Sequence, residues 1–203
     1  MRYKPGHKDE SRARILVAVG KGFRRHGIAG IGVDGLAKEA GVTSGAFYGH
    51  FGSKDQAFEA AAFAGLIELR QAIDRCQADF GSGWIESFVD FYLGFKRTCE
   101  LDEACGLQAL TPEVMRSDAG VRARYELELG KVVEQLSLGL PQPSREEREA
   151  QAWALLALLS GGVTMARAMA DMAHSNAVAA ALRTVAIAIA RAKPEVPEKA
   201  ANP

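Results

Sequence analysis

Between Gly32 and Gln56 the chain reads GVDGLAKEAGVTSGAFYGHFGSKDQ, and this stretch restricts the fold more than any other. Val33, Leu36, Ala37 and Ala40 recur at helical spacing, which predicts a short helix with one buried face. Gly41 breaks that period and supplies the left-handed residue of a sharp inter-helix turn. Val42 follows as a plug under the turn. Thr43 is an N-cap, and it opens a second short helix from Ser44 to His50. Gly52-Ser53 ends this helix. Ser53 with Gln56 three residues later reads as a capping box that opens a third and longer one. Helix, glycine turn and short helix make the helix-turn-helix pattern. In its second helix Phe47 and Phe51 point into a core. The outer arc, Ser44, Gly45, Tyr48 and Gly49, is bare except for the tyrosine.

Charge supports a nucleic-acid partner. The 203 residues carry no net charge, yet residues 1–56 hold ten Lys/Arg against five Asp/Glu, and the remainder holds fifteen against twenty. The N-terminal quarter is therefore +5 and the rest −5. A basic quarter is what phosphate contact requires, because Lys and Arg replace counterions condensed on the duplex. Cys76, Cys99 and Cys105 show neither CxxC nor zinc spacing. Their odd number, without a signal peptide, fits a reducing cytoplasm. Cys99 and Cys105 as a redox pair is the alternative to buried or idle thiols. The most apolar stretch, Ala152 to Ala170, is interrupted by Ser160, Gly161-Gly162, Thr164 and Arg167, so it reads as a buried helix and no membrane span is expected.

The remaining elements follow from apolar periodicity. Met1 to Lys8 is a basic arm without a period, either idle or touching phosphates or a minor groove. A helix from about Asp9 to His26 carries Ile15, Leu16, Val19 and Phe23, and stops at Gly27. Further helices are expected at about Lys54–Ala78, Trp84–Glu100, Ala119–Leu138, Arg145–Met172 and Asn176–Arg191. In the less regular stretch Leu101–Ser117, Thr111-Pro112-Glu113 looks like a helix start. A helix entering from Cys105 must kink or restart at Pro112. Ser144 with Glu147 is another capping box. Lys193 to Pro203 is rich in proline and charge and is expected to be disordered. No β pattern and no internal repeat is present.

Read from Arg12 to Phe58, the chain resembles the DNA-binding domain of the TetR family of bacterial transcriptional regulators. The resemblance rests on Ile15-Leu16, Phe23, Gly27, Val33, Leu36-Ala37, Ala40-Gly41-Val42, Gly45, Phe47-Tyr48, His50-Phe51 and Ser53-Lys54-Asp55. It covers about a quarter of the chain in a long, ordered signature. It implies an all-α protein of about nine helices. Residues 1–53 would form the three-helix DNA-binding domain, 54–191 a helical ligand-binding and dimerisation domain, and 192–203 a disordered tail. It also implies a cytoplasmic homodimer, an operator in double-stranded DNA and a small-molecule effector.

The family's pattern places backbone phosphate contacts at Tyr48 and Lys54. Chemistry supports both: an exposed phenol hydrogen-bonds phosphate, and Lys54 lies at a helix N-terminus. Thr43, Ser44, Gly45, Ala46, Gly49 and His50 complete the expected DNA-binding set. No long donor stands on the reading helix for a bidentate grip on guanine, so readout falls to the Ser44 hydroxyl, the Ala46 methyl, water and DNA shape. His50 is read mainly as a packing residue at the helix end. Gly32 stands where the family usually has Thr, and Asp34 would repel phosphate if it faces the duplex.

Trp84, Phe88, Phe91, Tyr92 and Phe95, with Met115 and Trp153, are candidates for an apolar effector pocket, against the plainer reading as core. Leu155, Leu159, Val163, Ala166, Val178, Leu182, Val185 and Ile189 are candidates for a dimer interface, since the last two helices carry more apolar surface than one hairpin covers. The leading expectation is a repressor released by a small apolar or aromatic molecule. An activator or ligand-independent regulator is the alternative. An enzyme is disfavoured by the lack of a nucleophile–base pair, a metal cluster or a phosphate loop, and no metal or cofactor is expected.

Overall fold

The computed structural model describes residues 7–192. Among these every regular element is a helix: α1 (His7–Gly30), α2 (Val33–Glu39), α3 (Ser44–Phe51), α4 (Lys54–Phe80), α5 (Trp84–Leu93), α6 (Phe95–Thr98), α7 (Gly106–Val114), α8 (Ala119–Leu138), α9 (Arg145–Arg167) and α10 (Met172–Arg191). Short 3-10 turns stand at Gly81–Gly83 and Leu101–Glu103. The all-α expectation agrees with this. So does the count of about nine, with α5 and α6 as one bent element. The basic arm up to Gly6 and the tail from Lys193 lie outside the described residues.

Helices α1 to α3 close around Ile15, Val19, Phe23, Leu36, Ala37, Phe47 and Phe51, all buried. The Phe23 ring meets Phe58 of α4 edge-on at 5.5 Å between centroids. Each such ring contributes about 2–3 kcal/mol by leaving water. Helix α4 then runs 27 residues, about 40 Å at the usual rise. It packs on α1, α5, α7 and α8. Where α4 crosses α7, Gly65 and Gly106 meet backbone to backbone. A Cβ on Gly65 would lie 2.9 Å from the Gly106 Cα, so only glycine permits this approach.

Several expectations change. The helix expected over Trp84–Glu100 breaks at Gly94, whose backbone leaves helical geometry (φ −90, ψ −90). Thr111 does not cap a new helix. Helix α7 starts at Gly106 and carries Pro112 inside it. The Thr111 hydroxyl instead bonds the Leu107 carbonyl at 2.5 Å and the Tyr125 hydroxyl at 2.6 Å. Only Val114 follows Pro112 by more than one residue before the helix ends, so little helix remains for the proline to disrupt. Ser53 accepts from the Gln56 amide at 3.1 Å, but the reciprocal bond of a capping box is absent, so the cap is one-sided. The box at Ser144 and Glu147 is complete. Helix α9 ends at Arg167 rather than Met172. Helix α10 begins at Met172 rather than Asn176, because Asp171 caps it, accepting from the Ala173 amide at 2.8 Å.

The helices lie beside one another by polar clamps as well as apolar packing. Arg183 grips Asp90 with two hydrogen bonds, and Arg191 meets Glu86, tying α10 to α5. Helix α10, like the Ala152–Ala170 stretch, is apolar along its length. It is long and apolar enough, by length and composition, to cross a bilayer, and 11% of its most apolar window is buried. So α10 carries an apolar surface that its own chain leaves open.

Candidate nucleic-acid interface

The turn between α2 and α3 is set by backbone hydrogen bonds. The Val42 amide bonds the Ala37 carbonyl at 2.9 Å and the Gly41 amide bonds the Lys38 carbonyl at 3.1 Å. Gly41 sits at φ +66. This is the Schellman ending of a helix, in which a left-handed residue lets both orphan carbonyls be satisfied. Thr43 then caps α3, its hydroxyl accepting from the Ala46 amide at 3.2 Å.

Helix α3 divides its residues by face. Phe47 and Phe51 are buried, their centroids 5.3 Å apart, and the Arg12 guanidinium lies 5.0 Å over the Phe51 ring. Thr43, Gly45, Ala46, Tyr48 and Gly49 are exposed, with Ser44 and His50 half-buried. Tyr48 is 50% exposed although its ring touches Phe47 edge-on. A Cβ on Gly49 would meet nothing within 4 Å, and one on Gly45 only the Thr43 hydroxyl at 3.9 Å. The face is therefore open and nearly flat. Lys54, half-buried at the first position of α4, adds a cation beside free helix N–H groups.

Three features of this face are not legible from spacing. The Ser44 hydroxyl donates to the Asp34 carboxylate at 2.5 Å, so the expected reader is engaged by the residue expected to repel phosphate. Gly32 caps α2 through its backbone alone, with no side-chain bond. Not all of the basic N-terminal charge faces outward, either. Arg24 donates to the Asp102 carbonyl at 2.7 Å and lies 3.7 Å from Glu68. Arg25 pairs with Asp102 at 2.9 Å and lies 3.8 Å from Glu39. Two cations counted towards DNA thus clasp α1 to the turn Leu101–Glu103 and to α4. The only sequence signal for this was the excess acid beyond residue 56.

The seven residues offered for one effector pocket lie apart. Phe88 is buried between Trp84 and Tyr92, 6.4 and 5.8 Å from them, and is core. Trp84 borders a cavity of about 510 Å³ near Gly139, to whose carbonyl its indole donates at 3.2 Å. Trp153 borders a groove of about 770 Å³ between α4, α8 and α9. Met115 is 68% exposed. Phe91 and Tyr92 share a third cleft, of about 270 Å³, with α4 and the start of α7. Phe95 stacks on Phe91 from outside, at 5.6 Å. Trp84, Phe88, Phe91 and Tyr92 share one side of α5 but stand up to two turns apart along its axis, and Phe95, Met115 and Trp153 belong to other elements, so a common apolar character did not mean a shared cavity.

The residues offered for a dimer interface also divide. Leu155, Leu159, Val163 and Ala166 are buried within their own chain and present no surface to a second copy. Val178, Leu182 and Ile189 are half-buried, and Val185 is 47% exposed. The open face lies one step round: Ala154, Ala157, Gly161 and Thr164 on α9, Ala177, Ala181 and Ala188 on α10. The larger aliphatic residues fill the nearer core, which is where burial gains most. The three cysteines are free thiols. Among the described residues no group of three or more His, Cys, Asp or Glu could hold a metal.

Residues 15–61 match the family described as bacterial regulatory proteins, tetR family. The HTH-type transcriptional repressor SCO4008 of Streptomyces coelicolor is 30% identical over 84 residues, 41% of this chain and 43% of that protein. The match therefore spans less than half of that relative's length. Among solved structures, the reduced form of E. coli NemR superposes with a TM-score of 0.74 at 21% identity, over 92% of this chain and 100% of that one. A TetR-family transcriptional regulator of Cytophaga hutchinsonii gives 0.68 at 18% identity, over 94% and 100%. At these identities the likeness is one of fold, and it extends through the helices beyond the matched segment.

Proposed function

We propose, for a chain that belongs to the TetR family of bacterial regulatory proteins, the role of a dimeric transcriptional repressor released from a palindromic operator by a small molecule. The observation that carries the DNA half is the split face of α3. Its large side chains are spent inward, and Thr43, Gly45, Ala46, Tyr48 and Gly49 are left to a partner that can approach the backbone. Lys54 and Tyr48 anchor phosphates. Ser44, Ala46 and the backbone near Gly45 and Gly49 meet base edges, with Ser44 oriented by Asp34. Two such helices in a symmetric pair would enter major grooves about one turn, roughly 34 Å, apart. The relative named as a repressor supports that direction of regulation. A cytoplasmic location goes with it.

The open alanine faces of α9 and α10 support pairing of two hairpins into a four-helix bundle. Ligand response is supported by a shared wall. The cleft beside Phe91 is lined by Glu68, Ala104 and Cys105. Glu68 is the partner of Arg24, and Asp102, two residues before Ala104, holds both Arg24 and Arg25. A ligand that prefers a shifted wall would move α1 and change the spacing of the recognition helices.

The test is fluorescence anisotropy on DNA flanking the protein's own gene, over a salt series. Tyr48→Phe and Lys54→Ala are expected to weaken binding to all sequences about five- to tenfold, and Lys54→Ala to lower the salt slope by about one. Ser44→Ala is expected to change sequence preference instead. An unchanged salt slope in Lys54→Ala removes the phosphate role.

A further inference from the structure

The cleft between α4, α5–α6 and the start of α7 has in its wall a buried polar group without an ordinary partner. Tyr92 is 1% exposed, and its hydroxyl meets no oxygen or nitrogen partner, with only the weakly bonding Cys105 thiol beside it. A buried hydroxyl without a partner costs about 1–3 kcal/mol. Neighbouring Tyr125 shows the usual solution: its hydroxyl is bonded to Thr111 at 2.6 Å. Burial pushes the Tyr92 phenol well above its ordinary range, so it stays neutral and offers both a donor and an acceptor.

The mouth of the cleft is cationic. Arg75 and Lys96 line it, and among the described residues neither has a carboxylate within ion-pair distance. Lys96 is aimed by the Glu103 carbonyl, which accepts its ammonium at 2.7 Å. The ammonium also lies 5.8 Å over the Phe91 ring. The one lining carboxylate, Glu68, is offset by Arg24. Leu69, Ala72 and the Phe91 ring form the apolar walls. At about 270 Å³ the space lies near the lower end of ligand pockets, about 300 Å³. Two unpaired cations at the mouth, apolar sides and a lone hydroxyl inside describe a small amphipathic guest with its charge outward.

We infer that this cleft binds a small organic anion with a flat apolar body, of the size of a single-ring carboxylate. The inference rests on the ligand-responsive reading above and narrows it from a small molecule to an aromatic anion. Arg75 and Lys96 take the carboxylate, Phe91 and Leu69 cover the ring, and Tyr92 meets a polar substituent at the inner end. A neutral ring of equal size leaves both cations unpaired and gains only the apolar part.

The experiment is calorimetric titration of the full-length protein with sodium benzoate and with benzamide, its neutral analogue. Benzoate is expected to bind at least tenfold more tightly. Arg75→Gln with Lys96→Gln is expected to abolish that preference, with the melting temperature as the check on folding. Phe91→Ala is expected to weaken both probes alike. Equal affinity for the two probes, no binding of either at millimolar concentration, or full benzoate affinity in the folded double variant overturns the proposal. Operator binding is measured on the same preparations without probe. Its loss alongside intact benzoate binding counts against the regulator and not the site. Benzoate binding that leaves operator affinity unchanged removes the ligand response and leaves the anion site standing.

Discussion

Helix α3 and the α9–α10 hairpin both turn large side chains inward and expose small ones, yet the two bare surfaces suit opposite partners. On α3 the exposed residues are glycine, alanine and hydroxyl groups, with Tyr48 and the nearby Lys54. Such a surface gains little by leaving water, and its polar atoms match phosphate and base edges. On α9 and α10 alanine is the commonest exposed residue, beside Met165, Met172 and Val185, and the arginines of α10 are tied to α5. That surface gains by meeting apolar surface of its own kind. Smallness alone therefore says only that something comes close. The polar atoms beside the small residues say what.

Gly161→Glu tests the contrast most strongly. A Cβ at Gly161, an exposed position, would meet nothing within 4 Å, so the single chain tolerates a side chain pointing outward there. A carboxylate in the middle of an alanine face is expected to convert dimer to monomer in sedimentation velocity. Operator affinity is expected to fall at least about hundredfold, since two half-sites no longer act together. A dimer that survives moves the interface elsewhere.

Gly41→Ala comes next. Its φ of +66 belongs to the Schellman ending of α2, and a side chain there costs about 1–2 kcal/mol. Denaturant melts are expected to show that loss. By contrast, Gly45→Ala and Gly49→Ala are expected to raise stability by about 1 kcal/mol each through helix propensity while weakening operator binding, because each added methyl holds the helix off the groove. Unchanged DNA affinity would mean that the backbone of α3 does not come close.

The smallest expected effect is electrostatic. The hydrogen bond from Arg183 holds the Asp90 carboxyl below the ordinary carboxylate range. Its folded value lies under its unfolded one, so its stabilisation is present above about pH 4 and fades as pH falls through the depressed value. Asp90→Asn is expected to lower the melting temperature slightly near pH 7 and to converge with the parent protein in acid. Both partners are solvated, which keeps the effect small.

The helix-turn-helix was legible because its determinants are local. Thr43 caps a helix that starts at the next residue, Gly41 satisfies carbonyls three and four residues back, and Phe47 and Phe51 show their face by spacing alone. The helices beyond α4 were legible in outline only. Apolar periodicity located α8, α9 and α10 to within a few residues, but Trp84, Phe91, Trp153 and Met115 fell into four different environments. Thr111-Pro112 was misread because a start signal at Thr-Pro depends on where the preceding turn already lies. Gly106, brought against Gly65, starts the helix earlier.

An all-helical chain with a capped, glycine-hinged helix-turn-helix and a basic N-terminal quarter follows from local order alone, since caps and periods act over a few residues. That Arg24 and Arg25 of the basic quarter hold Asp102 and Glu68, and that Ser44 leans on Asp34, depends on contacts between separate elements of the fold. The same holds for Tyr92, one of four aromatics on α5, whose buried hydroxyl stands beside a cationic cleft. These outcomes join residues tens of positions apart, and their energies exist only once the chain has brought those positions together.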